Sequence, residues 1–349
     1  MGRVRLPRPS GLSRLPGLPR LSGPRRPNLR RLWKVAALGA AVVTVVSAVA
    51  AYALYRKFDG NIRTDESVAR ALALHSAERP RAAHGEARNI LLMGSDYTAE
   101  HGNGRSDTTM LLHLSGDRKR AEIISVPRDL YADIPSCATP GGGRSRAQRA
   151  QFNWAYEFGG AACTIRTFER LTGIRVDHHL VLQFAGFKKI VNAVGGVEVN
   201  LPKPERDPNV GLDLPAGRQT IKGDDALAYV RARQYVGDGS DPNRIRRQQA
   251  FLTTLGEKLR GSGVLASPTR IYPVLDAATS SVTADSGLDS LAELYGMVKR
   301  VRAVPQEDIA FLTVPYRTAP DDADRLVLQQ PAASRLLAAV RADRPAPKV

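Results

Sequence analysis

"ARNILLMGSD", residues 87–96, sets the apolar run Ile90–Met93 between a polar lead-in and a Gly-Ser-Asp stop. So short a run between turn formers fits a buried strand better than a helix. "TTMLLHL" (108–114) and "AEIISV" (121–126) repeat the pattern, separated by the turn "SGDRKR". Downstream, helical spacing predicts helices over 163–171, 184–194, 223–233, 243–260, 286–301 and 331–342. "GGVEVNL" (195–201) reads as turn plus strand, and "IAFLTV" (309–314) as a late strand. Strands and helices mixed throughout predict an α/β fold, an αβα sandwich around a central mixed sheet.

Upstream the chain changes character. Residues 1–34 hold ten Lys/Arg and no Asp/Glu, which accounts for +10 of the net charge of +17. This Pro/Arg/Gly-rich tail has little apolar periodicity and is expected to be disordered. Residues 35–55 follow without a charge. At 1.5 Å per residue, 21 residues make about 31 Å of helix, the thickness of a bilayer's hydrocarbon core. The basic flank places the N-terminus in the cytoplasm and the remainder outside, anchored to the cell membrane by a single pass. "AVA" (48–50) also resembles a signal-peptide cleavage site, but the long basic leader and long apolar run favour a retained anchor. Residues 56–87 read as a polar extracellular stalk, and 88–345 as the globular domain.

An exported location bears on the two cysteines. Cys137 and Cys163 have no nearby His at zinc-site spacing, and in an exported domain two thiols are more often paired than free. A disulfide is expected.

Charge within the domain gathers at strand and helix ends. Asp96 closes the first strand, Arg105 and Asp107 open the second, and Pro127 stops the third and presents Arg128 and Asp129. "YVRARQYVGDGSDPNRIRRQQ" (229–249) adds five arginines. Arg231 and Arg233 diverge by about 200° on a helix and can share a ligand only if the helix ends there. Arg244 and Gln248 lie one turn apart, on one face. Taken singly, each arginine reads equally well as a surface ion-pair partner. Nucleic acid is excluded by the exported location and the lack of a helix-turn-helix or aromatic-interleaved motif. Arginine forks suit phosphate, and carboxylates among them call for a divalent cation, Mg2+ or Mn2+, bridging to the substrate. Leu180, Leu182, Phe184, Phe187 and Val191 are candidates for an apolar lipid groove beside this charge, with simple core as the alternative. His178 and His179, adjacent on a strand, point to opposite faces and read as structural.

Several of these stretches, in order, resemble the LytR-CpsA-Psr family: "NILLMGSD", "GRSDTTMLLHL", "IISVPRDLYADIP", "FNWAYEFGG", "FKKIVNAVGGVEVNLP" and "ALAYVRARQ…SDPNRIRRQQ". The likeness covers about residues 88–260. It implies a phosphotransferase that moves an anionic glycopolymer, such as teichoic acid, capsule or arabinogalactan, from a polyprenyl-pyrophosphate carrier to peptidoglycan. It also implies Mg2+ at Asp96 and Asp107, and phosphate contacts from Arg105, Arg128, Arg231, Arg233, Arg244 and Gln248, with Arg105, Arg128 and Asp107 at the chemistry. Asp107, Asp129 and Asp241 are the candidate general bases. One departure is Gln151, two positions before Asn153, where the family often has lysine. The extra C-terminal domain of some members is not expected. A lipid-carrier pyrophosphatase and a non-catalytic glycan-binding scaffold are the alternatives.

Overall fold

The structure is a computed structural model that describes residues 29–83, 85–96, 104–237, 239–261 and 267–347. Most of the expected disordered tail, residues 1–28, therefore lies outside the described residues, and its last residues already belong to helix α1 (Leu29–Asn61). The chain divides into two units, Met1–Ala53 and Leu54–Val349. The described part of the first is helix, and within α1 the stretch Trp33–Asn61 is long and apolar enough to cross a membrane.

The second unit begins with the last turns of α1, where Phe58 is buried against Tyr272 with ring centroids 5.3 Å apart. Then come β1 (Arg63–Thr64), α2 (Glu66–Leu74), β2 (Arg88–Ser95), β3 (Ser106–Leu114), β4 (Ala121–Val126), β5 (Tyr131–Ile134), β6 (Gln148–Gln151) and α3 (Trp154–Thr172). The middle holds β7 (His178–Gln183), α4 (Phe184–Ala193), β8 (Val197–Leu201), β9 (Glu205–Asp207), β10 (Leu212–Leu214), β11 (Gly217–Ile221), α5 (Gly223–Arg231) and α6 (Asp241–Gly261). The chain closes with α7 (Pro268–Thr279), β12 (Val282–Ala284), α8 (Leu291–Ala303), β13 (Ile309–Thr313), β14 (Tyr316–Ala319), β15 (Asp322–Leu328) and α9 (Ala332–Arg341).

Seven strands form one mixed sheet in the order β1-β12-β7-β2-β3-β4-β13. β7 and β13 run parallel to β2 and β4, and β3 is antiparallel to both its neighbours. Period-two alternation sorts the faces. Leu91 and Met93 of β2 join Leu111, Ile124, Ile165, Phe168 and Leu336 in the core under α3 and α9. Ile90 and Leu92 face the other way, toward Leu112, Leu114, Leu180 and the α8 residues Leu294 and Met297. The expected αβα sandwich with a central mixed sheet is the observed architecture. The hairpins β8–β11 and β9–β10 pack with α4, α5 and α6 around a separate cluster that includes Val197, Leu214, Ala226 and Phe251.

Residues 56–87 are not a stalk. Val68 and Leu72, one turn apart on α2, are buried in the same core as Phe168 and Ile174. Arg79 then locks the segment to α3: its Nε donates to Glu169 Oε2 at 2.9 Å and its Nη2 to Glu169 Oε1 at 2.6 Å and to the Val176 carbonyl at 2.7 Å. Cys137 and Cys163 are joined in a disulfide, Cα–Cα 5.7 Å. A Cβ on Gly159 would meet Cys137 Cβ at 2.9 Å and the Ala138 carbonyl at 2.8 Å, so only glycine lets α3 pass this bridge. The helix kinks there, with Gly160 at φ +59°.

His178 Nδ1 lies 3.0 Å from Asp285 Oδ1, and the Asp285 hydrogen bond holds the imidazole above its ordinary value despite partial burial. Burial pushes its neighbour His179 down, toward the neutral form.

Two outcomes follow. Glu169→Ala strands a buried guanidinium and should lower unfolding free energy by about 3–5 kcal/mol in urea titrations. The His178 pair stabilises fully below pH 6.5, its ordinary value, and fades as pH rises through the raised one. His178→Asn should therefore flatten the decline of the urea midpoint across the neutral range.

Candidate active site

The charged end of the sheet is built by three chain breaks. At the first, β2 and β3 slip register: Gly94 opposes Thr108 but Ser95 opposes Ser106, which leaves Asp107 as an extra residue. A bulge turns neighbouring side chains to one side, and Asp107 and Thr108 both line one cavity. At the second, β4 ends before Pro127, which has no N–H to continue a ladder. The turn is fixed by Leu130 N donating to the Pro127 carbonyl at 3.2 Å and Asn153 N to the Arg128 carbonyl at 3.2 Å. At the third, α5 stops at Arg231 because Ala232 is extended (φ −55°, ψ 134°). The helix end that the Arg231/Arg233 spacing required is thus present, and Arg233 swings away from Arg231.

These breaks deliver a compact charge cluster. Arg128 Nη1 donates to Asp107 Oδ1 at 2.8 Å, and its Nε lies 3.6 Å from Asp129 and 3.7 Å from Asp241. Arg233 Nη1 lies 3.0 Å from Asp129 Oδ2. Arg244 pairs with Asp241 and donates to the Asp107 carbonyl at 3.3 Å. Gln248, one turn along α6, donates to Thr108 Oγ1 at 3.1 Å and to the Val230 carbonyl at 3.0 Å. One face of α6 thereby ties the bulge to the end of α5. Arg231 lies over the Phe184 ring, 4.7 Å from its centroid.

Burial makes this cluster costly. Arg244 and Asp241 have side chains only 3% and 2% exposed. Burial lowers the Arg244 guanidinium and raises the Asp241 carboxyl, and the ion pair pulls each back. For Arg128 burial works downward, but Asp107, Asp129 and Asp241 outweigh it and raise the guanidinium. Asp129 Oδ2 and Asp241 Oδ1 have only ion-pair contacts with arginines, and Asp241 Oδ2 and the Nε atoms of Arg128, Arg231, Arg233 and Arg244 are buried without a hydrogen bond. Unmet donors and acceptors side by side mark a place arranged for a further polar ligand.

Below the cluster an apolar cavity of about 280 Å3 opens. Leu180, Leu182, Phe184 and Phe187 line it, with Met110, Val230 and Phe251, and Asp107, Arg231, Arg244 and Gln248 lie at its charged side. Val191 is not part of it. One turn beyond Phe187 it is fully buried among Val197, Ile221 and Phe251.

Arg105 and Asp96 stand apart. Asp96 Oδ1 accepts from Arg105 N at 2.5 Å, and the half-exposed Arg105 side chain donates to Glu157 Oε2 on α3 at 2.7 Å. Neither lines the apolar cavity. Magnesium is held by one or two carboxylates, with substrate oxygens and water completing its shell. Asp96 and Asp107, the two carboxylates expected in that role, lie at the ends of paired strands, where Asp96 accepts from Arg105 N and Asp107 is engaged by Arg128. Among the described residues no group of three or more His, Cys, Asp or Glu could hold a metal.

Arg247 and Glu157 were not legible in the sequence as contributors, and the partner of Gln151 was not either. Gln151 donates to Asp129 Oδ1 at 3.0 Å, so the lysine-to-glutamine departure sits against the cluster itself. Arg247 donates to the Ala232 carbonyl at 2.6 Å and holds the end of α5, and Glu157 restrains Arg105. The repeated Arg and Gln of "RIRRQQ" signalled a site but not which of them face inward.

The LytR_cpsA_psr family model matches residues 51–342. The chain belongs to the LytR_cpsA_psr family. It is 32% identical to the Corynebacterium glutamicum cell wall biosynthesis protein LcpA, over 66% of this chain and 50% of that protein. It is 31% identical to the Enterococcus faecalis polyisoprenyl-teichoic acid–peptidoglycan teichoic acid transferase TagU, over 61% of this chain and 68% of that protein. The match spans about half the length of the corynebacterial relatives. Among solved structures, a LytR-Csp2A-Psr enzyme from Actinomyces oris shares the fold at TM-score 0.59 and 24% identity, over 75% of this chain and 93% of that one. The protein gbs0355 from Streptococcus agalactiae does so at 0.62 and 22%, over 79% and 92%.

If this LytR_cpsA_psr cluster is arranged for an anion, removing a carboxylate should be compensated by one. Asp241→Ala should lower the melting temperature by leaving Arg244 uncompensated. Millimolar pyrophosphate should then raise it more than it raises that of the native chain. An equal or smaller ligand shift in the variant would contradict this.

Proposed function

We propose that this chain is a cell-wall phosphotransferase that moves an anionic glycopolymer from a polyprenyl-pyrophosphate carrier to peptidoglycan. The observation that carries this reading is the junction of the arginine cluster with the apolar cavity. A diphosphate bearing a long hydrocarbon needs both, in that order, and the names of relatives such as the teichoic acid transferase agree with it. The basic N-terminal flank and the apolar helix Trp33–Asn61 support a single-pass anchor with the domain outside, where peptidoglycan lies.

In this mechanism Arg231, Arg244 and Gln248 hold the diphosphate at the cavity mouth while Leu182, Phe184 and Phe187 take the prenyl chain. A hydroxyl oxygen of peptidoglycan attacks the phosphorus that carries the glycan, and a new P–O bond forms. The bond from that phosphorus to the bridging oxygen breaks, and polyprenyl phosphate departs. The hydroxyl proton passes to a carboxylate, for which Asp107, Asp129 and Asp241 are the candidates. Arg128 and Arg233 supply permanent charge where the phosphoryl oxygens and leaving oxygen gain it. Asp96 and Asp107 would hold Mg2+ or Mn2+, which neutralises diphosphate charge when bound. Arg105, at the rim, would reach the glycan phosphate on release from Glu157.

Arg128→Ala should reduce kcat/KM by about 2–4 kcal/mol equivalent, some 30- to 1,000-fold, with folding retained. The assay uses the full chain in nanodiscs with a prenyl-pyrophosphate glycan, a muropeptide acceptor and Mg2+. A phosphodiester-linked glycan–muropeptide adduct supports the ligase. Free phosphorylated glycan alone would instead make the protein a pyrophosphatase, and no turnover a glycan-binding scaffold.

A further inference from the structure

On the sheet face that carries the apolar cavity, but at the opposite ends of β2, β3 and β7, lies a second cavity of about 250 Å3. Arg88, Ile90, Leu114, Leu288, Met297 and Arg300 line it. A shallower recess beside it shares Arg88, Leu114 and Arg300 and adds Arg118 and Arg120. Arg118 is paired with Glu86, and Arg120 with Asp343 at 3.1 Å. Arg88, by contrast, donates only to the Ala87 carbonyl at 2.8 Å, and among the described residues neither Arg88 nor Arg300 forms an ion pair. Glu293 also lines the cavity, a single carboxylate against the two guanidinium groups. Glu293 accepts from Ser290 Oγ at 3.0 Å in the cap of α8, and Asp285 is held by His178 at 3.0 Å.

A glycine keeps the cavity open. Gly296 lies inside α8 and lines the cavity, where glycine costs about 0.5–1 kcal/mol relative to alanine. Nothing lies within 4 Å of where its Cβ would be, so no neighbour requires the glycine. The missing side chain leaves space.

We propose that this cavity binds an amphipathic anion. Its phosphate or carboxylate headgroup sits between Arg88 and Arg300, and its hydrocarbon segment lies on Ile90, Leu114, Leu288 and Met297. Guanidinium forks match either headgroup, and the apolar floor rewards an attached hydrocarbon that a free inorganic anion lacks. The site shares strands with the active site but none of its residues, and it does not depend on the proposed transferase reaction.

The test uses the full chain in zwitterionic nanodiscs and a geranyl phosphate probe carrying a photoreactive benzophenone, with labelled peptides mapped by mass spectrometry. Labelling of the 287–300 segment is expected, separate from labelling around 180–190. Unlabelled geranyl phosphate or geranic acid should displace it, the stronger of the two identifying the headgroup, whereas geraniol and inorganic phosphate should not. Gly296→Leu, and Arg88→Ala with Arg300→Ala, should each cut it about tenfold or more, equivalent to the loss of one strong contact. The 180–190 labelling and the melting temperature should hold. If Gly296→Leu melts early, the arginine pair decides alone. Absence of 287–300 labelling, its persistence in the arginine variant, or equal displacement by geraniol would overturn the proposal.

Discussion

The site depends on one electrostatic constraint: the buried Arg244 and the partly buried Arg128 and Arg233 are paired with Asp107, Asp129 and Asp241. Desolvating a charge costs several kcal/mol unless it is paired, so neither set could be buried alone. The carboxylates do more than balance charge, because they fix where each guanidinium points. The chain breaks serve the same end. The bulge at Asp107, the stop at Pro127 and the early end of α5 each turn a charged side chain toward one point that an unbroken element would have turned aside.

The apolar cavity beneath gives that point its second property. Charged groups at the mouth of a water-poor pocket interact more strongly than in bulk solvent, and α6 holds the two together. Its Arg244 and Gln248 reach up to the bulge, while Phe251, one turn on, packs against Phe187 at a centroid distance of 5.7 Å. Polar head and apolar tail of a ligand would therefore be read by successive turns of one helix.

Much of this was legible in the sequence, for identifiable reasons. Short apolar runs bounded by turn formers marked β2, β3, β4 and β13, and the 3.6-residue period put Arg244 and Gln248 on one face. What escaped depended on covering partners, which periodicity does not report. Val191 shares a stripe with Phe187, yet one turn further the helix lies on β8 and β11 instead of the cavity. Val68 and Leu72 formed too short a stripe to show that α2 docks on the core. A register slip such as that at Asp107 leaves no compositional trace, and Glu157, distant in sequence, was invisible as the partner of Arg105.

The most direct test of the account is an affinity ladder, by calorimetry on the full chain, running from pyrophosphate through geranyl and farnesyl to longer prenyl diphosphates. A diphosphate head seated on the arginines with its tail in the cavity predicts that each added isoprene unit tightens binding at least about tenfold until the cavity is filled, since each buried methylene contributes about 0.8 kcal/mol. Affinity that does not change with chain length would show that head and tail are not read together, and would contradict the account.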